Sequence, residues 1–104
     1  MDQESLFQEI LMARQRVYAA GDPTPLQKLD IAEFNCDVWV KREDLGPIKA
    51  YKWRGAYNAV ASLSAEQRAK GIIAASAGNH GQGVALAARK LDCQAIVFMP
   101  VSTP

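Results

Sequence analysis

After residue 35 the hydrophobic period of this chain changes, and short apolar runs begin to alternate with stretches of helical spacing. CDVWVK (36–41) carries the strand-forming Val38, Trp39 and Val40, and KWRGAYNAVASL (52–63) places Trp53, Ala56, Tyr57 and Val60 on one helical face. GIIAAS (71–76) is apolar and short, GQGVALAARKL (81–91) returns to helical spacing, and QAIVFMP (94–100) is a third apolar run closed by proline. Strand, helix, strand, helix, strand in this order predicts an α/β fold: a parallel βαβαβ core over 36–104, with right-handed crossovers and helices on both faces. That pattern leaves room for little else.

The first segment, 1–22, reads as an amphipathic helix, because Leu6, Ile10, Ala13 and Val17 recur at helical spacing. Ser5 with Gln8 suggests a capping box, and Gly21 a stop. Pro23 and Pro25 follow; they fix φ and remove donors, so Thr24 to Gln27 is at best a short edge strand. The chain reads VSTP directly after its third apolar run. Ligand sites in open parallel sheets lie outside the carboxyl ends of the strands, so the expectation is that the natural protein continues past Pro104. The N-terminal helix is then expected to pack on a larger domain, and 36–104 to form the core of a smaller one.

Charge excludes two classes of partner. Twelve basic residues face eleven acidic ones and are scattered, which argues against nucleic acid and against an anionic membrane. The start, MDQESLFQEI, has no basic stretch followed by an apolar run, and no segment approaches the ~20 apolar residues of a membrane span. A cytoplasmic setting is the expectation. Cys36 and Cys93 fit no metal-ligand or redox spacing and read as small buried hydrophobes, with no metal site.

Two stretches carry chemistry. AYKWRGAYN (50–58) sets Lys52 and Arg54 at the start of a helix, the end that normally attracts carboxylates. Near Lys49 and Arg54, such an amine feels positive potential that favours its neutral form, and a neutral amine is what attacks a carbonyl. A solvated surface lysine, with the helix starting two residues later, accounts for the same residues. SAGNHGQG (76–83) places Gly78, Gly81 and Gly83 between an apolar strand and a helix, where free N–H groups make an anion site. A strand-to-helix turn whose glycines only relieve crowding fits equally well. The order G-x-x-G-x-G is not the dinucleotide fingerprint, and no phosphate-binding G-x-x-x-x-G-K-[ST] occurs.

Together, TPLQ, VWVKREDLGPIKAYKWRGAYN, GIIAASAGNHGQGVALAA and AIVFMPVSTP resemble, in order and spacing, the N-terminal third of threonine (serine) dehydratases. These belong to the tryptophan-synthase-β-like, fold type II family of pyridoxal-phosphate enzymes. The resemblance covers about residues 10 to 104. It implies that Lys52 forms the Schiff base with pyridoxal 5′-phosphate and then moves protons at the substrate's α-carbon. Tyr51 matches the aromatic beside that lysine, and Asn79 the residue that hydrogen-bonds the cofactor's 3′-oxygen. Ser76, Ala77, Gly78, Asn79 and His80 match the loop that holds the substrate carboxylate, with His80 a loop position rather than an acid or base.

The implied reaction eliminates water from L-threonine or L-serine and then hydrolyses the product to a 2-oxo acid and ammonia, in a homo-oligomeric enzyme of amino-acid metabolism, isoleucine biosynthesis included. Trp53 stands where relatives more often carry a smaller aliphatic residue, which implies altered packing behind the cofactor. Ala77 stands where related serine racemases carry a serine that acts as second base, and alanine transfers no proton. Elimination is therefore favoured over racemisation. The phosphate loop and the ring-nitrogen partner of the family lie beyond residue 104, so these 104 residues alone are expected to be inactive. A β-replacing enzyme, a racemase and a non-catalytic chain remain as rival readings.

Overall fold

The computed structural model describes residues 2–104. Helix α1 (Gln3–Ala20) begins earlier than the capping box suggests, because Asp2 is its N-cap and Asp2 Oδ1 accepts from the Ser5 N–H at 2.8 Å. A carboxylate there satisfies an orphan donor and also meets the positive end of the helix dipole, so it outcompetes the Ser5 hydroxyl. Gly21 ends the helix as read, its N–H bonded to Val17 O at 3.1 Å. Of the apolar stripe only Val17 is buried; Leu6 and Ile10 are exposed because only the C-terminal half of α1 reaches its neighbour, through Arg16 Nη1 to Asn58 Oδ1 at 3.2 Å.

Strand β1 (Leu26–Leu29) starts after Pro25 rather than at Thr24, since neither proline can donate to a ladder. It pairs antiparallel with β2 (Val38–Lys41), Leu26 opposite Lys41 and Leu29 opposite Val38. This revises the sequence reading of 36–41 as the first strand of a three-stranded parallel sheet. Strand β2 alternates half-buried and exposed residues, with Trp39 outward. That alternation suits an antiparallel pair with one wet face, and a short connection suffices to form it.

A short 3₁₀ turn (Glu43–Leu45) leads from β2 towards α2 (Lys52–Ala61), and α3 (Ala65–Ala69) follows with a capping box of Ser64 and Gln67 that sequence reading missed. Gly71, at φ 84°, supplies the left-handed turn into β3 (Ile72–Ala75). Helix α4 (Asn79–Lys90) then crosses to β4 (Ala95–Phe98), parallel to β3 with Ile72 opposite Ala95 and Ala75 opposite Phe98. The parallel unit expected from 71–100 is therefore present as β3–α4–β4.

The core lies between α2 and α4. Trp53, Ala56 and Val60 on one helix meet Val84, Ala87 and Ala88 on the other. Trp53 is 0% exposed, and its ring is walled by Gly21 and Gly46, where an added Cβ would come within 2.8 and 3.3 Å of it. Its bulk thus packs towards the end of α1 and the 3₁₀ turn. The outer face of the parallel pair stays open, with Ile73 72% and Phe98 62% exposed. The radius of gyration, 16.6 Å, accordingly exceeds the ~13 Å of a compact domain of about 100 residues.

Candidate active site

Lys52 is the first residue of α2, reached through Lys49, which stands at φ 59° with its N–H on Gly46 O at 3.0 Å. A lysine in the left-handed region is uncommon and costs roughly 1–2 kcal/mol, so the surrounding turn enforces this approach. Helix α2 has neither a side-chain cap nor an acidic residue in its first turn, which leaves the positive end of its dipole bare. The helix does begin at Lys52, not two residues later.

What faces Lys52 is decided by Gly83. A Cβ there would sit 3.2 Å from Lys52 O, Trp53 Cα and Ala56 Cβ, so α4 runs against the first turn of α2 almost backbone to backbone. This close approach brings His80, one turn earlier on α4, to the same place. Tyr51, Lys52, Gly55 and His80 line one open depression of about 440 Å³. The amine is solvent-exposed and opens onto the first turn of α4.

Ser76 shapes that turn. Its Oγ accepts from Gly78 N at 3.2 Å and Gly81 N at 2.9 Å, satisfying two donors at the helix start. The N–H groups of Ala77, Asn79 and His80 have no partner among the described residues. Ser76, Ala77, Gly78 and Asn79 line a neighbouring depression of about 490 Å³ that runs towards Thr103. The seven residues singled out in the sequence thus fall on two separate hollows, three on one and four on the other, with Asn79 and His80 adjacent in the first turn of α4.

Arg54 is not part of the unpaired charge. Its Nη2 donates to Glu43 Oε1 at 3.0 Å and its Nε to Glu43 Oε2 at 3.1 Å, while the Thr24 hydroxyl donates to Oε1 at 2.6 Å. The Arg54 hydrogen bonds hold the Glu43 carboxyl below its ordinary value, and Glu43 in turn raises Arg54. The guanidinium also lies over Trp53 at 5.1 Å and Tyr18 at 5.4 Å. The grouping of Arg54 with Lys49 and Lys52 as one positive patch is therefore corrected: Lys52 has no ion-pair partner among the described residues, and Arg54 has a close one. No period links residues 43 and 54 across the intervening turn, so sequence pattern carried no signal for the pair. Another correction concerns Cys36, read as buried and in fact exposed, with Cys93 half-buried; Cys36 lies in the connection between β1 and β2, which packs against no second layer.

Residues 17–104 match the model of a family described as pyridoxal-phosphate dependent enzymes. The chain belongs to that family. It is 49% identical over 104 residues to the L-threonine dehydratase biosynthetic IlvA of Haemophilus influenzae, covering 98% of this chain and 20% of that protein. Against the threonine dehydratase 1 biosynthetic, chloroplastic, of Solanum lycopersicum it is 53% identical over 91 residues, covering 86% of this chain and 15% of that one. The chain thus spans a fifth or less of the length of these curated relatives. Among solved structures, the processed form of threonine deaminase isoform 2 from Solanum lycopersicum superposes with a TM-score of 0.85 at 41% identity, over all of this chain and 30% of that one. Maize serine racemase gives 0.86 at 32% identity, over 89% and 30%.

Over its own length the chain therefore has the α/β fold of these pyridoxal-phosphate enzymes. Its donor set fits the family's cofactor: a primary amine for the aldehyde, the Tyr51 ring beside it, and, in the same depression, His80, whose N–H has no partner among the described residues. No helix among the described residues is long and apolar enough to cross a membrane.

Proposed function

We propose that this chain supplies the cofactor-binding lysine and the acid-gripping loop of a dehydratase that converts L-threonine, or L-serine, to a 2-oxo acid and ammonia. The observation that carries the reading is the shared depression of Tyr51, Lys52 and His80 at the start of α4. When bound, pyridoxal phosphate supplies an electron-poor ring that stabilises negative charge at the substrate's α-carbon. Lys52 Nζ would hold the cofactor aldehyde and, as a free amine, would take the substrate's α-proton and return one. Ser76, Ala77, Gly78, Asn79 and His80 hold the substrate carboxylate on the N–H groups of the turn, where the dipole of α4 favours an anion. Asn79 would hold the cofactor at its 3′-oxygen, and Tyr51 would flank it.

Ala77 supports elimination. A racemase needs a proton donor on the second face of the substrate, and a methyl group is none. The likeness to maize serine racemase is the observation on the other side. Formation of 2-oxobutanoate from L-threonine, against D-serine from L-serine, separates the two readings.

The substrate is accordingly a small amino acid, in a biosynthetic and cytoplasmic setting and in a homo-oligomer; the relatives' names support the biosynthetic part. We also propose that α1 lays its exposed Leu6 and Ile10 on a larger domain, a reading supported by relatives five or more times as long. The decisive experiment on the site is borohydride reduction of the full-length protein with pyridoxal phosphate, followed by peptide mapping. A pyridoxyl group on Lys52, absent from Lys52→Ala, is the expected result. Equal labelling of the two proteins would refute the assignment.

A further inference from the structure

Two cations stand two residues apart at the start of α2, and the fold treats them differently. Arg54 is held in a fork by Glu43, whose second duty is to accept the Thr24 hydroxyl; both side chains of the ion pair are about 20% exposed. Thr24 is 7% exposed and belongs to the segment between α1 and β1, while Glu43 belongs to the turn after β2. Tyr18 of α1 and Trp53 close over the guanidinium. Three stretches outside α2 thus gather around the Arg54–Glu43 pair, two places beyond Lys52. Lys52 itself has no such partner among the described residues.

We infer that Glu43 is a positioning residue for Lys52: it pins the first turn of α2 through Arg54 and cancels the Arg54 charge, leaving Lys52 as the cation of that turn with no ion-pair partner among the described residues. This rests on Lys52 being the reactive amine. The reasoning is geometric and Coulombic. A bidentate arginine fork fixes direction as well as distance, and it fixes the helix turn from which Lys52 projects. A neutralised Arg54 adds little to the potential at Lys52, whereas a bare one would oppose a second positive charge nearby.

The other groups around Lys52 are few. Lys49 and Tyr51 precede it, His80 faces it from α4, and Arg42 is matched by Asp44 at 2.7 Å beyond the 3₁₀ turn. Arg14 and Tyr18 lie on the α1 side of α2, and Arg16 is spent on Asn58. None of these pairs with Arg54 as Glu43 does.

The test is competitive labelling of the full-length protein with trace acetic anhydride at one fixed pH near neutrality, with the Lys52 peptide quantified by mass spectrometry. An amine held by the cofactor is not labelled, so parent and variants are labelled after the cofactor has been removed from each. Glu43→Gln uncovers a positive charge and is expected to speed Lys52 acetylation roughly two- to fivefold; Arg54→Gln uncovers a negative one and is expected to slow it by a similar factor. The double variant Glu43→Gln/Arg54→Gln returns the rate to that of the parent. A brace with no electrical influence on Lys52 would give shifts of one sign, or none, and either result overturns the inference. Should Glu43→Gln fail to fold, Arg54→Gln decides by its sign alone. Borohydride trapping on the parent protein is read separately: absence of the pyridoxyl group from Lys52 refutes the proposed function and leaves the labelling result standing.

Discussion

Replacing Gly83 by alanine perturbs the close backbone contact between α4 and the first turn of α2. In an ordinary helix interior the change would help, because alanine is favoured over glycine by about 0.5–1 kcal/mol. Here the new methyl would lie 3.2 Å from Lys52 O, Trp53 Cα and Ala56 Cβ, tighter than normal van der Waals contact on three sides. Two of those atoms are backbone, so no rotamer change relieves them, and Ala56→Gly would remove only the third. Overpacking of this kind costs about 1–3 kcal/mol. The crowding therefore exceeds the propensity gain, and a net loss of about 1–2 kcal/mol is expected. For a domain of this size that is a fall of roughly 4–8 °C in Tm per kcal/mol.

Gly55→Ala is the matched control, since a Cβ at Gly55 meets nothing within 4 Å. It sits on the neighbouring helix and should stabilise by about 0.5–1 kcal/mol. Urea unfolding of the two variants beside the parent tests the pair. Because Gly83→Ala also wedges α4 away from the first turn of α2, borohydride trapping at Lys52 should slow in it. A Gly83→Ala protein as stable as its parent, with trapping unchanged, would refute the claim that backbone proximity at residue 83 builds the site.

Trp53→Ala should cost about 3–5 kcal/mol, whereas Trp53→Phe should cost less than ~1.5 kcal/mol, because the indole N–H it removes is buried and has no partner among the described residues; thermal melts of both compare them. Glu43 has its carboxyl below the ordinary value of 4.5, so its contribution is complete above that pH and is lost as pH falls through the lower folded value. Glu43→Gln should therefore be less stable than the parent at neutral pH by about 1–2 kcal/mol and show a flatter acid limb, measured as urea midpoint against pH. Ser64→Ala removes the acceptor for Gln67 N and half of a capping box, for a loss of about 1 kcal/mol with Lys52 trapping unchanged.

The parts of this fold legible in the sequence are those where a residue's neighbours along the chain determine its environment. Trp53, Ala56 and Val60 share a face because of helical spacing, and all three are buried. Ile72 to Ala75 and Ala95 to Phe98 are strands because apolar runs of that length bounded by glycine and proline suit little else. Pairing is different. The run VWVK has the same strand signature as the other two, and nothing within it says that its partner is LQKL rather than IIAA. Only its exposed Trp39 hints at a sheet with one wet face, and exposure is not written in the residue.

The same distinction runs through the site. Lys52 drew attention because an uncapped cation at a helix start runs against the dipole, but its proposed role rests on the family resemblance and not on that placement. Arg54 presented the same contradiction and had a different reason. Its charge is answered by Glu43, eleven positions upstream across a non-helical turn, a distance over which sequence pattern has no period to report. An unfavourable local choice can thus mark a residue kept for chemistry or one satisfied from afar, and the two differ only in whether a counter-charge arrives in three dimensions. At the start of α2 it arrives for the arginine and, among the described residues, not for the lysine.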